Sequence, residues 1–272
     1  MHPFIHIYAD YKIPTYTVIF LLGFFSMVAI AILTAPKKNI DRFDACAAAA
    51  YSLIGIGVGA KLFFFLSKLP QMIQHLDELI PAIAKDPKGF FVWSFGGLVF
   101  YGGLIGALVG AYRYCWHYKV SFSRMIDHYI PFFPIIHGIG RIGCFMAGCC
   151  YGKEYHGPLA VHFPYNEFTP ALSEVPRFPV QLLEAGLNFI MGIILLILAN
   201  KFKKLREGQL VGIYLCYYLV ARIFLEMLRG DAVRGNIGGI SFSQIISILL
   251  IPVAIFFISG RLEKMQGRAF PK

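Results

Sequence analysis

Seven apolar stretches of about 20 residues each leave this chain few folds to choose from. They are Thr15–Leu33, Ala45–Ser67, Val92–Tyr112, Tyr129–Gly148, Pro179–Asn200, Leu210–Leu228 and Ile240–Ser259. A hydrocarbon core about 30 Å thick takes about 20 residues of helix to cross. In lipid the backbone must satisfy its own hydrogen bonds, which selects helices over open strands. Only 15% of the 272 residues are charged and 57% are hydrophobic, with mean hydropathy +0.64. A soluble domain carries about a quarter charged residues, so this chain lacks the side chains to coat a water-facing surface. The expected fold is all-α: a single transmembrane domain over residues 1–272, polytopic, with seven helices. The N-terminus MHPFIHIYADYKIP has no basic run before its first apolar stretch and no small-residue cleavage site after it, so the first helix is expected to be retained.

The net charge of +10 is unevenly placed. Alternate segments at 34–44, 113–128, 201–209 and 260–272 hold 14 Lys and Arg against 5 acids, whereas the remaining connections hold 8 against 8. Basic residues collect on the cytoplasmic side of membrane proteins. The expected topology is therefore N-out and C-in, and the basic excess implies anionic headgroups rather than nucleic acid as its partner. Between the second and third spans, Met72, Ile73, Leu76, Leu79 and Ile80 recur at helical spacing among His75, Asp77 and Glu78. That pattern fits an amphipathic helix on the outer surface, or an ordinary solvated loop.

Five charged residues fall inside the spans: Lys61, Arg141, Glu184, Arg222 and Glu226. Lys61 lies near a helix end, where it can snorkel, and is given no function. With this topology, Arg141 sits about 10 Å below the outer end of its span, Arg222 about 9 Å, Glu184 about 7.5 Å and Glu226 about 3 Å. Charges at depth are costly and face a cavity or a partner. Arg222, Glu226 and Arg229 share one helix stripe, His137, Arg141, Cys144 and Gly148 another, and Gln181 with Glu184 a third. Buried ion pairs such as Arg222–Glu226 would be the simplest use of them. Guanidinium groups in one layer equally suit a phosphate at the headgroup boundary, because their planar fork matches its oxygens bidentately. Gly102, Gly106 and Gly110, with Gly55 and Gly59, are spaced by four and permit close helix approach.

The blocks FYGGLIG (100–106), GRIGCFMAGCCYG (140–152), RFPVQLLEA (177–185) and YLVARIFLEMLR (218–229) resemble the prolipoprotein diacylglyceryl transferase family. The resemblance implies a bacterial inner-membrane enzyme with its active site towards the outer leaflet. Such an enzyme moves the diacylglyceryl group of phosphatidylglycerol onto the thiol of a prolipoprotein lipobox cysteine and releases glycerol phosphate. It implies no metal and no cofactor. By position it assigns catalysis to Arg141, Arg222, Glu184 and Tyr101. Substrate binding falls to Tyr16, His137, Cys144, Cys149, Gly102, Gly103, Glu226 and Arg229. The chain departs from the family pattern with Tyr101 for a His, Cys144 and Ala147 for Asn, and Cys149 for an acid. A phenol is a poor general base at neutral pH, so the acceptor side of the reaction is where this chain differs. An alternative keeps the anionic lipid donor with another acceptor. A lipid-binding or transport protein is the non-enzymatic alternative, although no inverted repeat supports it.

Six cysteines remain: Cys46, Cys115, Cys144, Cys149, Cys150 and Cys216. Cys46, Cys115 and Cys216 read as small apolar packing. Cys144, Cys149 and Cys150 fall in the signature block, where packing or a disulfide is the first reading and a reactive thiol the second. Adjacent cysteines lack the Cys-x-x-Cys spacing of a thiol oxidoreductase, and no His/Cys spacing there makes a zinc set.

Overall fold

The computed structural model describes residues 4–8, 11–165, 173–202, 205–230, 236–237 and 240–262. The basic residues counted at 203–204 and 264–272, and the connection 231–235, lie outside them. A hairpin of β1 (Phe4–Tyr8) and β2 (Tyr11–Pro14) leads into α1 (Thr15–Thr34). Then follow α2 (Arg42–Gln74), α3 (Leu76–Lys85), α4 (Pro87–Phe95), α5 (Phe100–Tyr118), α6 (Phe122–Tyr129) and α7 (Phe132–Ala147). The chain continues through α8 (Val180–Lys201), α9 (Gln209–Leu228), the short strands β3 (Asn236–Ile237) and β4 (Ile240–Ser241), and α10 (Phe242–Ile258).

Among the described residues, five stretches are long and apolar enough to cross a membrane: Thr15–Lys38, Arg42–Gln74, Phe122–Ala147, Val180–Lys201 and Gln209–Leu228. The pair α4 and α5 makes a sixth if counted as one span, but it is bent by 76°. The expected straight span Val92–Tyr112 is therefore corrected to two helices hinged at Gly96 and Gly97. The seventh expected span is the shorter α10, 17 residues with Pro252 inside it. Large apolar side chains point outward along the spanning helices, among them Leu22, Phe25, Ile54, Ile190 and Val220. That is the surface a lipid solvent requires.

The helices divide into two compact units, residues 35–122 and residues 1–34 with 123–272. In the first, α2 packs along α5 through glycines. A Cβ on Gly55 would strike the carbonyl of Gly106, and one on Gly59 that of Gly102. One on Gly110 would strike the carbonyl of Tyr51. The four-residue spacing thus does what it suggests and lets two backbones touch. Asp86 caps α4 by accepting from Gly89 N at 2.8 Å, with Pro87 opening the helix. At its other end Lys61 Nζ donates to Phe95 O at 2.6 Å, satisfying a carbonyl freed by the break. Lys61 is therefore a structural donor at the bend rather than a snorkelling side chain. The amphipathic pattern at 72–80 is helical, shared between the end of α2 and α3.

In the second unit α7 packs between α1 and α8, and α9 contacts α8 and α10. Asp127 on α6 accepts from Gly208 N at 2.6 Å and Val211 N at 3.3 Å, placing a carboxylate on the N-terminus of α9, where the helix dipole favours it. Glu207 holds Ser123 Oγ at 2.9 Å and Arg124 Nε at 2.7 Å. The core of this end is Met191, Leu195, Leu210 and Tyr214.

Candidate active site

Arg141, Glu184, Arg222, Glu226, Arg229 and His137 gather within the second unit. Arg141 Nη2 lies 2.9 Å from Glu184 Oε1, and His137 Nε2 lies 3.4 Å from the same oxygen. Arg222 Nη2 pairs with Glu226 Oε2 at 2.6 Å, one turn along α9. Glu184, Arg222 and Arg229 are almost fully buried, at 2%, 4% and 7% exposure. Arg141 and Glu184 are thus in direct contact between α7 and α8. The ion pairs named as the simplest use of these charges also exist.

The pairs do not exhaust the site. Arg141 Nε, Glu184 Oε2, Asn188 Oδ1 and Tyr217 Oη are buried and make no hydrogen bond among the described residues. A narrow cleft is lined by His137, Glu184, Asn188, Tyr217, Arg222 and Leu225. Buried polar atoms are normally satisfied, so these orphans call for ordered water or a polar ligand; the cleft itself encloses about 10 Å³, the room of one water. The guanidinium groups of Arg141 and Arg222 offer donors there, and the unpartnered oxygens of Glu184 and Asn188 offer acceptors.

Asn188 and Tyr217 were absent from the sequence expectation. Asn188 falls on the Gln181–Glu184 stripe, one turn further along α8, and its Nδ2 is tied to Glu184 O at 2.8 Å. That bond leaves its oxygen, which has no partner among the described residues, and the second N–H of Nδ2 for the cleft. The spacing of 181, 184 and 188 could have revealed it. Tyr217 carries no such signal, because α9 is rich in tyrosine.

Helix α7 ends in a Schellman motif that sets the position of the cysteines. Gly148 adopts φ 70°, its N–H bonds Phe145 O at 3.2 Å, and Cys149 N–H bonds Cys144 O at 3.1 Å. This motif brings the residue after the glycine against the last helical turn, and here both of those residues are cysteines. Cys150 also takes a left-handed backbone, φ 59°, which folds its side chain back. The three Sγ atoms lie within 4.8 Å of one another. None of the six cysteines is in a disulfide, so the disulfide reading is corrected. The fully buried Gln181 donates from Nε2 to Cys149 O at 2.9 Å. Tyr16 lies across Gly143, where any Cβ would collide with its ring. It stacks on Phe20 with ring centroids 6.0 Å apart. Lys153 N to Leu228 O and Gly230 N to Tyr151 O then tie the cysteine-bearing connection to the end of α9, beside Arg229.

Tyr101, Gly102 and Gly103 belong to the other unit, in the first turn of α5. Gly102 is spent on backbone contact with Gly59 and on the ring of Phe63, and Gly103 faces Ile56 and Ala60. Both glycines are thus packing positions.

Residues 3–259 match the family described as prolipoprotein diacylglyceryl transferase. A phosphatidylglycerol–prolipoprotein diacylglyceryl transferase of Clostridium tetani is 32% identical over 244 residues, 87% of this chain and 91% of its own length. One from Rickettsia felis is 30% identical over 90% of this chain and 89% of its own. A second enzyme of that name from Clostridium perfringens is 28% identical over 94% and 93%. With a match over nearly its whole length, the chain belongs to the prolipoprotein diacylglyceryl transferase family, a family of multi-pass bacterial membrane enzymes.

Proposed function

We propose that this enzyme transfers the diacylglyceryl group of phosphatidylglycerol to the thiol of a prolipoprotein lipobox cysteine. The observation that carries the reading is the buried cluster of Arg141, Glu184 and Arg222, with unpartnered polar atoms on Arg141, Glu184, Asn188 and Tyr217. A phosphodiester has one negative charge and acceptor oxygens. A glycerol headgroup adds hydroxyls able to donate to Glu184 Oε2 and Asn188 Oδ1. Each guanidinium has five N–H donors, so Arg141 and Arg222 can hold a phosphate while keeping their carboxylates. The acceptor thiol gives up its proton, which ends on the departing glycerol phosphate, and its sulfur attacks the glyceryl carbon next to the phosphate to form the S–C bond. The C–O bond breaks, and glycerol phosphate departs with the electron pair. Fixed guanidinium groups stabilise charge growing on the leaving oxygen without reorganising.

The chain crosses the bacterial inner membrane seven times in this reading, with the bent α4–α5 pair and α10 as spans, N-out and C-in. Its site opens towards the outer leaflet. The test is purified protein with phosphatidylglycerol and a lipobox peptide. Release of glycerol phosphate together with a diacylglyceryl-modified peptide cysteine supports the proposal. Release without peptide product moves the reading to another acceptor, and neither product, with a known family member active alongside, overturns it.

A further inference from the structure

We propose that Cys144, Cys149 and Cys150 form a binding site for a thiophilic cation of the Zn2+ class, with one coordination position left for the sulfur of the acceptor. The Sγ atoms already lie within 4.8 Å of one another. A tetrahedral cation with bonds of about 2.3 Å holds its thiolates about 3.8 Å apart, so contraction by about 1 Å completes the set. Side-chain rotation alone covers such a distance.

The site is built rather than accidental. The Schellman turn fixes Cys149 against Cys144, the left-handed backbone at Cys150 returns the third sulfur, and Gln181 anchors the Cys149 carbonyl from a fully buried position. Charge also agrees. Three thiolates and a dication sum to one negative charge, and the guanidinium groups of Arg141 and Arg229 both act electrostatically on Cys150. Soft thiolate ligands select zinc or copper(I) over the hard cations. Three protein ligands, unlike four, leave a position open to an incoming group.

That open position gives the cluster a chemical use, which rests on the transferase reading. A thiol bound to such a cation loses its proton outright. The acceptor sulfur would thus be held as a thiolate beside Arg141, on the side where the phosphate binds. Its S–H proton leaves on coordination and ends on the departing glycerol phosphate or in solvent. The sulfur lone pair then forms the S–C bond while the C–O bond breaks. No oxidant or reductant is consumed.

The experiment uses full-length protein in detergent, reduced, treated with chelator and titrated with Zn2+, and with Co2+ as a coloured substitute. One ion retained per chain, with a cobalt–thiolate absorption that changes when lipobox peptide is added, is the expected result. Cys144→Ser, Cys149→Ser and Cys150→Ser each weaken binding beyond the about 100-fold that outer-sphere changes produce. Cys46→Ser with Cys216→Ser leaves it intact. Uptake that is absent, or unchanged in the triple variant, overturns the site. Full peptide transfer by chelated protein overturns its role in catalysis and leaves the transferase reading standing. Loss of transfer on chelation, restored by Zn2+, supports the role, and no transfer by the Zn2+-loaded protein, with the titration as expected, overturns the transferase reading and leaves the cation site.

Discussion

Arg141→Lys separates phosphate recognition from ion pairing. Arg141 is 13% exposed and bonds Glu184 Oε1 at 2.9 Å, while its Nε makes no hydrogen bond among the described residues. A lysine keeps the charge and one bond to Glu184 but loses the planar fork. Fold stability therefore changes by about 1 kcal/mol or less, the scale of one net hydrogen bond. Catalysis loses at least one fixed donor aimed at the leaving phosphate, which corresponds to about 10²–10³ in kcat. Arg141→Leu is the contrast. It takes the guanidinium from the carboxylate of Glu184, 2% exposed, leaves it only His137 at 3.4 Å, and destabilises the fold by about 3 kcal/mol. The assay reads glycerol phosphate release against peptide concentration, with thermal unfolding measured on the same detergent samples. A lysine variant within about threefold of the parent in kcat/KM would leave Arg141 no transition-state role. A lysine variant as unstable as the leucine one would reduce it to a structural ion-pair partner.

Gly106→Leu places a branched side chain against the carbonyl of Gly55 and is expected to destabilise the α2–α5 pair by at least about 3 kcal/mol, read as loss of folded protein on detergent unfolding. Lys61→Met removes the bond to Phe95 O and lowers stability by about 2 kcal/mol; unchanged unfolding would show that the bend holds without it. A reporter fused after Lys272 reads cytoplasm and one inserted near Asn166 reads exterior. The reverse at both sites refutes the N-out topology.

The fold was legible wherever one helix had to satisfy lipid on its own. Apolar length alone located α1, α2, α8 and α9, because nothing but an intact helix hides that much backbone in hydrocarbon. It failed where backbone groups find other partners. The run Val92–Tyr112 is apolar throughout, so hydropathy could not show the break at Gly96 and Gly97. Lys61 supplies the missing partner from α2, 34 positions earlier. The hairpin β1–β2 also escaped notice, since its strands lie outside any apolar run.

The site divides along a similar line. Arg141, Glu184, Arg222 and Glu226 were visible because a charge inside an apolar span has no cheap explanation. Neutral polar groups do not announce themselves in this way, which is why Asn188 and Tyr217 came only with the structure. The cysteines are the instructive case. Spacing alone argued against a cation site, because ligand motifs are recognised as Cys-x-x-Cys or His/Cys runs on regular loops. Cys144-x4-Cys149 instead spans a helix end, where Gly148 reverses the chain. The distance between those two residues is set by capping geometry rather than by their separation in sequence. A glycine immediately before the second cysteine, five residues after the first, was the available signal. It brings thiols together as surely as a two-residue loop does, and it places them one residue from Tyr16's contact at Gly143 and three from Arg141. In the proposed reading, thiol chemistry and phosphate chemistry meet at the C-terminal end of α7.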